Sequence, residues 1–268
     1  MLKNKQNSKA MILSIAITAV FTALIWMLQF VPMVGFIVIP PGLSMTTIHI
    51  PVLIGIIALP RTKWNIAFGG FIGFMFGMAS WVTALTRAVN PSDLLFQNPL
   101  ISVLPRALMG IAVAAFWLGA KKIGEKKHGD ISLMAMGALV ISGLAYFFFA
   151  RVSGTDYALN RLVGLSVAII LIVVLVALFV LLRKKIKMIN SAAVITTLAL
   201  GTLFNTVFVL TALRVFEGLL FIDTSGLVGN IIQIGLISNG SVEMIAAVVL
   251  GLPIVLAINK LKKSQNLQ

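Results

Sequence analysis

The sequence contains no cysteine, which excludes disulfide staples, thiolate chemistry and Cys-ligated metal. Acids are almost as scarce: Asp and Glu number 7 against 21 Lys and Arg in 268 residues. Asp93, Glu125, Asp130, Asp156, Glu217 and Asp223 fall in predicted loops at no spacing diagnostic of a carboxylate pair. Histidines number 2 and have no ligand spacing, so the sequence offers no metal site. Also missing are GxSxG, HExxH and a Walker A run, so the chain has no P-loop with which to bind ATP. Nothing in it points to an enzyme, and no cofactor is implied.

What the sequence has instead is apolar length. It is 60% hydrophobic, with a mean hydropathy of +1.09, well above a soluble domain. Several apolar runs approach or exceed the ~18–20 residues that cross a bilayer core. The alternation of ~10-residue strands needed for a barrel is missing. The fold class is therefore all-α, a polytopic helical membrane protein with about eight transmembrane helices. The expected spans are 10–34, 46–59, 64–85, 100–120, 131–150, 162–182, 192–213 and 239–259. Residues 1–30 superficially resemble a signal peptide, but the apolar run is long and no small-x-small site follows, so it reads as a retained first span. Span 46–59 would rise only about 21 Å, short for a crossing.

A net charge of +14 suggests nucleic acid until the charges are placed. They lie in short connections between apolar runs, with no soluble basic face to meet a phosphate backbone. Arg87, Arg106, Arg151, Arg161 and Arg214 fall on or near one side, and the other basic residues on the opposite side. The positive-inside rule then puts both termini in the cytoplasm.

Ionisable and amide groups inside lipid need a reason. Arg106 follows Pro105 in the fourth span, Glu243 and Asn239 open the eighth, Asn205 lies beyond the middle of the seventh, and His49 opens the second. In this topology all of them face the outer half of the membrane, while the inner half carries only hydroxyls such as Ser14, Thr18, Thr196 and Thr197. That is the pattern of a polar cavity open outward above an apolar floor. A channel needs a wettable path throughout, and an ion-coupled carrier places ionisable groups near the midplane. Structural roles compete at each position: Arg106 and Glu243 neutralising one another, Asn205 as interhelical glue, His49 capping its helix or bonding a carbonyl. Small-residue stripes add packing faces. Gly69, Gly73 and Gly77 are expected to pack within the chain, and Ala19 and Ala23 either do the same or dock another membrane subunit.

These passages together resemble the substrate-binding S components of energy-coupling factor (ECF) transporters, most closely the pantothenate and vitamin types. The resemblance lies in TTIHIPVLIG (46–55), FGGFIGFMFG (68–77), LISVLPRALMG (100–110), GTLFNTVFVL (201–210) and NGSVEMIAAVVLGLPIV (239–255), in the family's order. It implies a single membrane domain, residues 1–268, with a six-helix core (10–120 and 191–260) and an inserted two-helix hairpin at 121–190. It implies capture of a vitamin-like small molecule from outside, with Thr46, Thr47, His49, Asn98, Arg106, Asn205, Asn239 and Glu243 as substrate-binding residues. Ala19 and Ala23 would dock a transmembrane coupling subunit, which works with two ATPase subunits. Loops at 42–47 and 93–98 would cover the pocket. The competing readings are a stand-alone secondary carrier and a non-transporting membrane scaffold or enzyme.

Overall fold

A computed structural model describes residues 2–31, 36–39, 43–87, 94–126, 128–147, 157–183, 191–216 and 240–264. Among them are eight helices of at least ten residues: α1 (Leu2–Phe30), α2 (His49–Ala58), α3 (Asn65–Arg87), α5 (Leu104–Gly124), α6 (Gly129–Phe147), α7 (Tyr157–Arg183), α8 (Ser191–Phe216) and α9 (Gly240–Ser264). A single turn, α4 (Pro99–Ser102), precedes α5. Five stretches are long and apolar enough to cross a membrane: Asn7–Phe30, Asn65–Arg87, Pro99–Gly124, Ala192–Phe216 and Val242–Lys262. The chain is a polytopic helical membrane protein.

Two details depart from the hydropathy reading. The first span ends at Phe30 rather than 34, and a small antiparallel hairpin follows it, β1 (Phe36–Ile39) on β2 (Leu43–Thr46), with Phe36 opposite Thr46. Residues 43–46, expected as loop or helix, thus form a strand. The fourth span is broken at Val103. Pro105 has no N–H with which to continue the ladder, so α4 stops and α5 restarts.

Burial orders the helices. In α8, 89% of the most apolar stretch is buried in protein, against 17% in α1. α8 is the hub, packed against α2, α4, α5, α6, α7 and α9, and α1 lies at the periphery on α2 and α3. α2 is the innermost element: every residue from His49 to Ala58 is buried, with α1, α3, α5, α8 and α9 around it. Its length of about 15 Å is half a bilayer core. Lys262 of α9 donates to the carbonyl of Ala58 at its C-terminal end.

The glycine stripe on α3 packs inside the chain, as its spacing predicts. A Cβ on Gly69 would lie 2.8 Å from the Gly110 carbonyl of α5, and one on Gly77 would lie 2.6 Å from the Val103 Cα. Between them, Gly73 meets the Arg106 carbonyl and Gly110 directly. Backbone-to-backbone approach of this kind needs residues without side chains. It sets the depth at which Arg106 enters the bundle.

Candidate functional site

Arg106 is the third residue of α5, directly after Pro105. Its side chain is buried, 8% exposed. The Nη1 donates to the Ser102 carbonyl at 2.7 Å. The guanidinium lies between two rings, 5.1 Å from the centre of Phe76 on α3 and 5.3 Å from that of Phe96. Flat aromatic faces partly replace the water such a cation loses on burial. Phe96 is itself held. The Ser102 hydroxyl donates to its carbonyl, Trp81 donates to the next carbonyl, Gln97, at 2.8 Å, and the Gln97 amide reaches back to Ala84 at 3.1 Å. Within this cage the Arg106 Nε–H has no hydrogen-bond acceptor.

Glu243 does not neutralise this cation. It is buried on α9, 4% exposed, and no ion pair joins it to Arg106, whereas Glu125 pairs with Arg61 at 2.8 Å near the opposite end of α5. The expectation that Arg106 and Glu243 might cancel as a structural pair is therefore corrected.

His49 is also not the helix cap considered for it. The cap position is Ile48, which supplies no side-chain bond. The fully buried imidazole instead reaches across to α8, with Nε2 3.3 Å from the Thr202 hydroxyl. That hydroxyl also contacts the Leu198 carbonyl at 3.0 Å. Its one proton satisfies the carbonyl if His49 carries its own proton on Nε2, so the pair fits that tautomer. One turn further along α8, Asn205 is buried with its Oδ1 lacking a partner.

The register ties these groups to one end of the bundle. A Cβ on Gly201 would meet Leu53 of α2 and, at 3.2 Å, Val113 of α5. From that level His49, Asn205 and Arg106 all step toward the same end, about 6, 6 and 10 Å along their axes. At the other end, Ser14, Thr196 and Thr197 return their protons to carbonyls four residues back, at 2.9, 2.8 and 2.7 Å. That is how hydroxyls are satisfied within a helix.

Asn98 lies beside this end, but its Oδ1 accepts from the Leu100 N–H at 2.9 Å and caps α4. Thr46 ends β2, and the Thr47 carbonyl accepts the first turn of α2 from Ile50 at 3.0 Å. Asn239 lies outside the described residues. Ala19 and Ala23 are exposed on α1 and line a groove against α3. Sequence reasoning missed Thr202, Phe76, Phe96 and Ser102. A hydroxyl flanked by Gly201 in an apolar span was a signal for the first, whereas the aromatic cage depends on tertiary placement alone.

Among the described residues, Arg106 keeps a buried guanidinium N–H and Asn205 a buried amide oxygen without hydrogen-bond partners. Among the described residues there is no cluster of three or more side chains able to hold a metal.

No family model matches the chain. It is similar to two curated proteins. One is named a pantothenate transporter, PanT, of Leuconostoc mesenteroides subsp. mesenteroides, 30% identical over 132 residues, 47% of this chain and 62% of the relative. The other is named a pantothenic acid transporter, PanT, of Lactococcus lactis subsp. cremoris, 27% identical over 179 residues, 59% of this chain and 88% of the relative. The chain thus spans less than two thirds of the first relative's length. Both relatives are named as transporters, and neither as an enzyme.

Proposed function

We propose that this chain is the substrate-capture subunit of an ECF-type importer, binding pantothenate or a close relative from outside the cell. The observation that carries the reading is the buried, aromatic-caged Arg106 whose Nε–H is unspent. A carboxylate entering this end would complete it with charge-assisted, bidentate bonds. The amide and hydroxyls of pantothenate would then engage Asn205 and His49, with Thr46, Thr47, Asn98, Asn239 and Glu243 around them. The names of the two relatives support the same substrate.

In this reading both termini are cytoplasmic, in a bacterial plasma membrane. Ala19 and Ala23 dock a transmembrane coupling subunit, and two ATPase subunits supply the ATP hydrolysis for which this chain has no motif. Residues 121–190, which include α6 and α7, are an inserted hairpin beside a six-helix core.

The test is to extract the purified protein and identify the released small molecules by mass spectrometry, then titrate pantothenate calorimetrically into the wild type and Arg106→Met. Losing one partner of a buried charge pair costs about 2–5 kcal/mol. Affinity should therefore fall at least ~30-fold in a variant that still folds. Equal affinity would make Arg106 structural. Ion-driven uptake by the chain alone in liposomes would replace the ECF reading with a stand-alone carrier. Co-purification of an integral partner and ATPases, weakened by Ala19→Leu, would support it.

A further inference from the structure

The groove between α1 and α3 has a volume of about 780 Å³, and its walls are almost wholly apolar. It runs about 16 Å from Trp64 to Met75 beside α3 and about 22 Å from Met11 to Trp26 along α1. Both walls fall short of a ~30 Å hydrocarbon core, and the shorter one is about a leaflet deep.

The two ends of the groove's flanking helices differ in charge. At the far end, Arg87 of α3 donates to the Phe30 carbonyl of α1 at 2.8 Å and stacks on the Phe30 ring, stapling the helices together. At the near end, Trp64 is about half exposed, and the Lys63 ammonium lies 5.4 Å over its ring. Lys9 is exposed two residues before Met11, the first groove residue of α1. Neither helix contains an Asp or Glu, and among the described residues neither lysine is ion-paired. An apolar slot of leaflet depth therefore opens under two uncompensated cations and an interfacial tryptophan.

We infer that this groove holds an anionic glycerophospholipid, with an acyl chain along α1 and α3 and the phosphate at Lys9 and Lys63. Lysines near a membrane surface favour anionic lipid, and tryptophan anchors at the headgroup level. The proposal concerns the chain by itself in a bilayer. It stands whether or not a coupling subunit docks at Ala19 and Ala23, which would have to displace this lipid.

Two of the 4 tryptophans, Trp26 and Trp64, line the groove and serve as reporters. The protein is placed in nanodiscs containing either brominated phosphatidylglycerol or brominated phosphatidylcholine at equal fraction, and tryptophan quenching is measured. Apparent occupancy by the glycerol lipid should exceed that by the choline lipid, by up to about fivefold per lysine. Lys9→Gln/Lys63→Gln should remove that excess and leave choline-lipid quenching in place. Ala67→Phe, in the groove wall, should lower quenching by both. If the double variant does not fold, Lys9→Gln alone, at an exposed position, should remove part of the excess. Equal quenching by the two lipids, an excess that survives loss of the lysines, or no groove quenching because a second copy covers the face would each overturn the proposal.

Discussion

Replacing Gly73 with alanine probes the contact that places Arg106. The new methyl group would collide with the Arg106 carbonyl and lie 3.0 and 3.1 Å from Gly110 Cα and N. All of these atoms are backbone, so the strain cannot be relieved by a rotamer change. α3 and α5 must move apart. Overpacking of this sort costs about 1–3 kcal/mol, against a gain of about 1 kcal/mol from putting alanine for glycine inside a helix. The net loss should be about 0–2 kcal/mol, a fall in Tm of up to about 8 °C at about 2–4 °C per kcal/mol. Gly119→Ala on α5 is the matched control: a Cβ there meets nothing within 4 Å, so it should gain up to about 1 kcal/mol. The assay is thermal unfolding of both variants in one detergent, followed by circular dichroism. A shift in the same direction for both would refute the close-packing argument. Ligand affinity should follow the same division, falling in Gly73→Ala and holding in Gly119→Ala.

Thr202→Val should destabilise the protein by about 1 kcal/mol by removing the hydroxyl that meets the buried His49 Nε2, while Thr202→Ser should leave thermal stability close to wild type. Asn205→Leu should unfold at the same or a slightly higher temperature, because an unpaired buried oxygen costs about 1–3 kcal/mol, and should lose ligand in calorimetry. A fall in stability instead would mark Asn205 as interhelical glue. Glu125→Gln should change stability by no more than about 1 kcal/mol, since its pair with Arg61 is exposed, and the change should shrink further as salt is raised.

The helical class was legible because apolar run length is a property of the chain alone, and each of the eight expected spans overlaps one of the eight helices of at least ten residues. The Gly69–Gly73–Gly77 stripe was legible because four-residue spacing fixes a helix face. The hairpin was not: a hydropathy window merges FIVI and LSMT with their apolar neighbours, although Pro40, Pro41 and Gly42 between them are turn formers. Asn98 was read as a ligand residue although Asn before Pro is a cap signal, and capping is where its oxygen went. The aromatic cage was beyond reach, because Phe76 and Phe96 meet Arg106 only after α3, α4 and α5 have packed. The same holds for His49, whose partner lies 153 residues away.

The position of α2 has a consequence for how the protein is made. At about 15 Å, this helix cannot leave its ends at the two surfaces of a bilayer. Its terminal backbone groups must be met by protein, since lipid offers them nothing. The carbonyl of Ala58 is met by Lys262, 204 residues later, and the helix packs on α8 and α9, which are synthesised well after it. Residues 49–58 therefore leave the ribosome long before the neighbours that make their burial favourable. They reach their final depth as a late step of assembly, after the C-terminal helices have inserted.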